Sequence, residues 1–344
     1  MKISHFSFEL PFKYPFTISK GTKTVQPTFI VFLEMMGLIG YGEAPAISYY
    51  DIPLRKMRED LESKKVFIEK FAFTEPTRYW HYLHHLFPNN SFLVCALDIA
   101  GWDLYGKMKR KPLYELWGLD PAATIATDYT IGIDSIEKML LKIKENPWPI
   151  YKIKLGVPED MEILESLRKH TDAIFRVDVN AGWNLEQAMQ RIPLLQRLGV
   201  ELIEQPLARE DWDGMKKLYE MSPLPLIADE SCVRENDLEK CVGHFHGINI
   251  KLTKCGGITP ARKMIAHAKD LRMKVMVGSM NESTIGSAAI AHLSPLMDWM
   301  DMDGPLLLSR DIASGIHFDG GKPMLSKSPG LGIEWIGWPE GILS

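Results

Sequence analysis

Five ionisable side chains recur along the middle of the chain at nearly even steps: Lys154, Asp178, Glu204, Asp229 and Lys251, spaced 24, 26, 25 and 22 positions apart. Each closes a short apolar run, in YKIKLG, RVDVNAGW, LIEQP, IADES and INIKLTK. A charge at one strand end often just meets solvent. Five in phase, one per repeat, put a row of charges at the same end of successive strands. Strand-like runs are expected at 127–131, 150–154, 174–178, 202–204, 226–228, 248–251, 275–277 and 299–302. Helix-like segments are expected between them, at 135–145, 158–169, 185–198, 212–221, 235–242, 260–271 and 284–293. Thr259 before Pro260 reads as the N-cap of the sixth helix. Strands alternating with helices imply a parallel sheet, and eight strands joined by seven helices imply a (β/α)7β TIM-like barrel.

The barrel is expected over residues 121–305. Residues 1–120 read as an α+β capping domain. Phe6, Phe8, Leu10 and Phe12 alternate as in a strand, and 28–44 is a β-rich run with a turn near Gly37. Residues 53–118 read as helical, with 91–118 a long amphipathic helix that stops before Pro112. Residues 306–344, rich in Gly and Pro, are expected to return to the capping domain. Net charge is -4 with both signs interspersed and no basic stripe, which argues against a nucleic-acid partner. No apolar run is long enough for a bilayer, and the N-terminus lacks a signal-peptide core, so no membrane partner is expected. Cys95, Cys232, Cys241 and Cys255 form neither CxxC nor a zinc spacing. They read as reduced thiols in a cytoplasmic protein. A homo-oligomer is left open.

In a barrel of this kind the strand C-termini carry the active site. Three neighbouring strands deliver Asp178, Glu204 and Asp229 to one arc of the rim. Three carboxylates together repel and call for a cation; an all-oxygen set suits Mg²⁺ first and Mn²⁺ second. The alternative is three separately paired or solvated acids. Asn180 is a further candidate to orient a ligand or a metal-bound water, and Glu230 is expected to point away if its strand stays extended. Lys152 and Lys154, two apart, share a strand face. Strands two and six lie across an eight-strand ring, so Lys154 and Lys251 would face each other over its axis. Two amines on opposite sides of one carbon form a two-base pair, if nearby cations draw their pKa values toward neutrality. Lys152 would hold a substrate carboxylate as an enediolate forms. Lys254 is expected in the following loop. Asp301 and Asp303 in MDMDGP share a face across the ring from Glu204, far from the metal, and would hold an ammonium; the alternative is a turn cap before Gly304. A carboxylate, an acidic C–H and an ammonium together describe a dipeptide.

These motifs resemble the enolase superfamily, specifically its muconate-lactonizing subgroup. The resemblance is carried by KIK, DVN, EQP, ADES and NIKLTKCGGI in the barrel, and by ALDIAGWDLYGK in the first domain. It implies that Lys154 and Lys251 are the acid/base pair and that Asp178, Glu204 and Asp229 bind Mg²⁺. DMDGPLLL resembles the element with which the subgroup's dipeptide epimerases hold the substrate α-ammonium. VGSMNES is also similar to those enzymes, which implies that Ser279 and Met280 line the dipeptide. Two specificity loops are expected near 19–24 and 48–51, where Lys20 and Lys23 either pair with an acidic side chain or stay solvated. The expected reaction is epimerisation at the α-carbon of the dipeptide's C-terminal residue. Rivals are o-succinylbenzoate synthase or muconate cycloisomerase chemistry on the same scaffold, a Schiff-base aldolase, and a metal-dependent small-molecule binding protein.

Overall fold

The structure, a computed structural model, describes residues 1–19 and 21–337. Apolar alternation at the N-terminus produces an antiparallel sheet of β1 (Lys2–Ile18), β2 (Gly21–Met35) and β3 (Leu38–Pro45). Met36 and Gly37, both at positive φ, turn β2 into β3; a two-residue turn of that hand matches strand twist. Three helices follow: α1 (Leu54–Glu69), α2 (Pro76–Leu86) and α3 (Ser91–Lys109). The long helix stops at Lys109, before Pro112, where Arg110 turns left-handed; unlike the expected helix it is not amphipathic, since every residue from 92 to 104 is buried. It packs along β3 on one side and against the barrel on the other. Gly42 allows that approach, since a Cβ there would lie 1.8 Å from the Ala96 carbonyl oxygen.

The barrel strands are β4 (Tyr129–Ile131), β5 (Ile150–Lys154), β6 (Ile174–Asp178), β7 (Val200–Glu204), β8 (Leu226–Ala228), β9 (Gly247–Lys251), β10 (Lys274–Gly278) and β11 (Trp299–Asp301). They pair in sequence order and in parallel. A parallel bridge from Thr127 to Met300 joins the two ends of the sheet. Helices Ile136–Glu145, Asp160–Arg168, Leu185–Arg197, Trp212–Met221, Leu238–Cys241, Ile258–Asp270 and Thr284–Ala291 connect the strands. The interior is divided. Leu202, Ile227 and Met276 fill one side with apolar volume, while Asp128, Thr130, Lys152 and Arg176 are buried around β4 to β6.

Buried carboxylates of the capping domain hold the two domains in register. Glu43 accepts hydrogen bonds from Ser283 N (2.9 Å), Ser283 Oγ (2.5 Å) and Gly286 N (2.9 Å) at the start of Thr284–Ala291. Asp98 accepts from Thr259 N (2.9 Å) and Thr259 Oγ1 (2.7 Å) in the first turn of Ile258–Asp270. Helix N-termini leave backbone N–H groups without partners and favour anions, so each acid is well placed. Thr259 is therefore not the cap it was expected to be. The helix begins two residues earlier, at Ile258, and the Thr259 hydroxyl joins Asp98 to the Trp102 indole N–H (2.9 Å). Towards the C-terminus, Glu334–Trp335 pairs with Ala313–Ser314, and the Trp335 ring meets Phe8, Phe32 and Tyr41 of the capping domain. Residues 338–344 of the expected returning segment lie outside the described residues.

His292 is buried at the end of Thr284–Ala291, with Nδ1 accepting from Tyr114 N (3.3 Å) and Nε2 beside the Leu331 carbonyl (3.2 Å). That geometry needs neutral imidazole. Burial pushes its pKa down to about 4, against a smaller upward pull from Leu331. Below pH 6.5 the unfolded chain takes up a proton that the folded one refuses. This contribution is therefore complete above pH 6.5 and lost as the pH falls toward 4, by up to about 3 kcal/mol. Urea unfolding across that window is expected to show a steeper acid slope for the native protein than for His292→Gln.

Candidate active site

Strand register builds the site. Lys154, Asp178 and Glu204 are successive paired residues at the C-terminal ends of β5, β6 and β7. Lys251, Gly278 and Asp301 are successive paired residues on β9, β10 and β11. Asp229 lies just beyond β8, between the two sets. All these side chains are buried. Burying a charge is costly unless an opposite charge meets it, and here the signs interleave. Lys152 Nζ lies 2.6 Å from Asp301 Oδ2, 2.7 Å from Glu204 Oε2 and 3.1 Å from Asp178 Oδ2. Lys154 Nζ lies 2.5 Å from Asp178 Oδ2, and Lys251 Nζ 2.8 Å from Asp229 Oδ2.

A cavity of about 270 Å³ opens over these ends. Barrel residues Lys152, Lys154, Asn180, Asp229, Lys251, Asp301 and Asp303 line it from below, and Ser279 and Met280 from the side. The capping domain contributes Lys23, Ile47, Tyr49 and Tyr50, among others. Both expected loop regions thus reach the cavity. Lys23 is half-buried and donates to Gln26 Oε1 (3.2 Å), and burial lowers its pKa. Lys20 lies outside the described residues.

Several expectations change. Glu230 does not point away: β8 ends at Ala228, the chain turns, and Glu230 becomes part of the cavity wall. Asp301 is not remote from the acidic trio, because one Lys152 ammonium bridges Asp301 and Glu204. Asp303 does not cap the turn with its side chain; its carboxylate accepts from Thr130 N (2.6 Å). Lys254 is no solvated loop residue. The short helix Leu252–Cys255 folds it inward, where it donates to Asp229 Oδ1 (2.7 Å), Asp229 O (2.6 Å) and Cys232 O (2.9 Å). At Lys251, burial lowers the pKa while Asp229 and Glu204 raise it, and the acids prevail, holding the amine well above its usual range.

Asn249 is a residue that sequence reasoning missed. It donates to Glu204 Oε1 (2.7 Å) from a position two before Lys251, and so on the same strand face. The period-two rule that selected Lys152 could have selected it. Gly278 makes its space: a Cβ there would lie 2.5 Å from Asn249 Oδ1. As the side chains stand, no three acids, histidines or cysteines among the described residues converge as a metal cage. The donor set nevertheless fits a hard cation. Burial and then the Asp178 charge raise Glu204 to about 7, the mark of a crowded anion, and Asn180 Oδ1 is buried without a hydrogen-bond partner.

Comparison with known proteins accounts for nearly the whole chain. Residues 136–337 match the family model described as enolase C-terminal domain-like. Residues 2–118 match the mandelate racemase / muconate lactonizing enzyme N-terminal domain. The chain belongs to the enolase superfamily. It is 48% identical over 333 residues to an L-Ala-D/L-amino acid epimerase of Flavobacterium johnsoniae, covering 97% of this chain and 99% of that one. It is 50% identical over 317 residues to an enzyme of the same name from a Maribacter species, covering 92% and 94%. Among solved structures, a dipeptide epimerase from Cytophaga hutchinsonii, complexed with Mg and the dipeptide D-Ala-L-Val, superposes with a TM-score of 0.89 at 28% identity. That match covers 97% of this chain and 96% of the other. These likenesses make the protein an isomerase of the racemase and epimerase type.

Lys254→Met would remove the buried donor from Asp229 Oδ1 and from the Cys232 carbonyl. The expected loss is about 3–5 kcal/mol of folding stability, measured by chemical denaturation. A change below about 1 kcal/mol would show that Asp229 does not depend on Lys254.

Proposed function

We propose that this protein is a Mg²⁺-dependent dipeptide epimerase that inverts the α-carbon of the C-terminal residue by proton transfer between Lys154 and Lys251. The observation that carries this reading is the ring position of the two lysines. They end β5 and β9, four places apart in an eight-strand barrel, and both line one cavity. A substrate α-carbon held between them has an amine on each side. In the neutral form, one lysine removes the α-proton; the other, as an ammonium, returns a proton to the opposite face. For the reverse direction the roles exchange. The anion between the two steps is an enediolate.

Lys152 is placed to hold the substrate carboxylate and stabilise that anion. Burial opposes its charge, but Asp301, Glu204 and Asp178 keep it firmly protonated. A preorganised charge of this kind in a dry site is often the largest catalytic contribution. Asp178, Glu204 and Asp229 are the residues that would hold Mg²⁺, which supplies further positive charge for the same purpose. Asp301 and Asp303 face the cavity and suit the substrate ammonium. Neither o-succinylbenzoate nor muconate chemistry offers an ammonium for them. A Schiff-base aldolase needs only one lysine and no acidic trio. A pure binding protein has no use for opposed amines. The epimerases to which the chain is similar in sequence and fold support the same reaction.

Incubation with Mg²⁺ in D₂O across a library of L,L-dipeptides is expected to place deuterium at the C-terminal α-carbon and to generate the epimer. A chelator is expected to stop both. Lys154→Ala and Lys251→Ala are each expected to lower epimerisation by about 10²–10⁴-fold, the range of one general acid or base. Each would retain α-proton exchange on one epimer only. Undiminished epimerisation by Lys251→Ala would rule out the two-lysine mechanism.

A further inference from the structure

Asn249 takes part in no step of the proposed reaction. It is completely buried, midway along β9, on the strand face that carries Lys251. Its NH₂ donates to Glu204 Oε1 (2.7 Å), two strands away on β7. Its Oδ1 has no hydrogen-bond partner among the described residues. Burying an amide with one end unsatisfied is costly. Packing alone therefore does not account for an amide at this position; the carboxylate it serves does. Gly278, on the neighbouring strand β10, makes the space. A Cβ there would lie 2.5 Å from Asn249 Oδ1 and 2.6 Å from its Nδ2. The Asn249 carbonyl also accepts from Lys254 Nζ (3.3 Å), the ammonium that donates to Asp229 Oδ1 (2.7 Å). One residue of β9 thus ties to two of the three carboxylates, to Glu204 directly and to Asp229 through Lys254.

We propose that Asn249 is a positioning residue that fixes the Glu204 carboxylate in the orientation that receives Mg²⁺. The inference rests on the Mg²⁺ reading of the acidic trio. A long side chain anchored at one carboxylate oxygen can still pivot about that contact. Glu204 is held at both: Lys152 Nζ stands 2.7 Å from Oε2, and Asn249 takes Oε1. An ionised carboxylate only accepts hydrogen bonds, so the amide must meet it with its NH₂. The neutral amide orients the acid without cancelling its charge, whereas an ammonium in its place would compete with the metal. Groups that hydrogen-bond metal-binding side chains in this way commonly set metal affinity, and removing one weakens binding by about 10–100-fold.

The test titrates Mg²⁺ into chelator-treated wild type, Asn249→Leu and Gly278→Ala in a calorimeter, and follows epimerisation as a function of Mg²⁺. Asn249→Leu removes the donor at similar size; Gly278→Ala keeps it and displaces it. Both are expected to raise the Mg²⁺ Kd about 10–100-fold. At saturating Mg²⁺, kcat of Asn249→Leu is expected to return to within a few-fold of wild type. A merely structural role would instead lower the melting temperature and kcat and leave the Mg²⁺ Kd where it was. An unchanged Kd in Asn249→Leu would overturn the proposal. If that variant did not fold, an unchanged Kd in Gly278→Ala would overturn it. Failure of the wild type to bind Mg²⁺ would end the metal reading and this inference with it. Tight binding by the wild type with no shift in the variants would end this inference alone.

Discussion

Buried charges of one sign must be interleaved with charges of the other, and the active end of this barrel is arranged around that constraint. Lys152, Lys154, Lys251 and Lys254 alternate with Asp178, Glu204, Asp229 and Asp301, and each ammonium lies within about 3 Å of an acid. Truncating one partner would strand another charge in a medium that solvates it poorly. Strand register makes the alternation possible. A slip of one residue in β6 would turn Asp178 away from the interior and take its carboxylate from beside Lys152 and Lys154. The chemistry and the fold therefore share one requirement. The same groups that would move a proton also determine how the strands must align.

The capping domain obeys a related rule. Its buried acids meet backbone N–H groups at helix N-termini of the barrel rather than lysines. Glu43 binds Ser283 and Gly286, and Ser283 closely follows the cavity-lining residues Ser279 and Met280. Glu43 is also close in sequence to Tyr49 and Tyr50, on the opposite wall. One carboxylate thus sets the distance between a wall of the capping domain and a wall of the barrel. Burial raises the Glu43 pKa while its hydrogen bonds from Ser283, Gly286 and Thr28 counter this. The contact that joins the two walls is therefore buried, with both Glu43 oxygens hydrogen-bonded.

The barrel was legible in the sequence because five successive strands end on or beside an ionisable residue that no apolar core would keep without reason. Spacing then gave the order of strands, and order gave the opposition of Lys154 and Lys251. What escaped detection was local and short in range. Lys254 is turned inward by a four-residue helix, which leaves no periodic pattern. Glu230 depends on the path after β8: the chain turns there instead of staying extended, so strand alternation no longer says which way its side chain faces. The apolar excess of α3 was visible, but that it is buried on all sides follows from two domains meeting on it. Thr259 had the features of a cap, yet Asp98, far away in sequence, already serves that helix end.

The Lys152–Asp301 pair bears on the choice of substrate. In the proposed reaction Lys152 receives a carboxylate and Asp301 an ammonium. Lys152 and Asp301 set one cation against one anion at 2.6 Å. A zwitterion that enters between them offers each group a new partner of the correct sign and leaves the buried charge unchanged. A substrate with a carboxylate alone would draw on Lys152 and leave Asp301 with less compensation, at a cost of several kcal/mol for a poorly paired buried ion. An amine alone would do the reverse. Discrimination in favour of free dipeptides would thus arise as much from the penalty on half-charged ligands as from attraction to the right one.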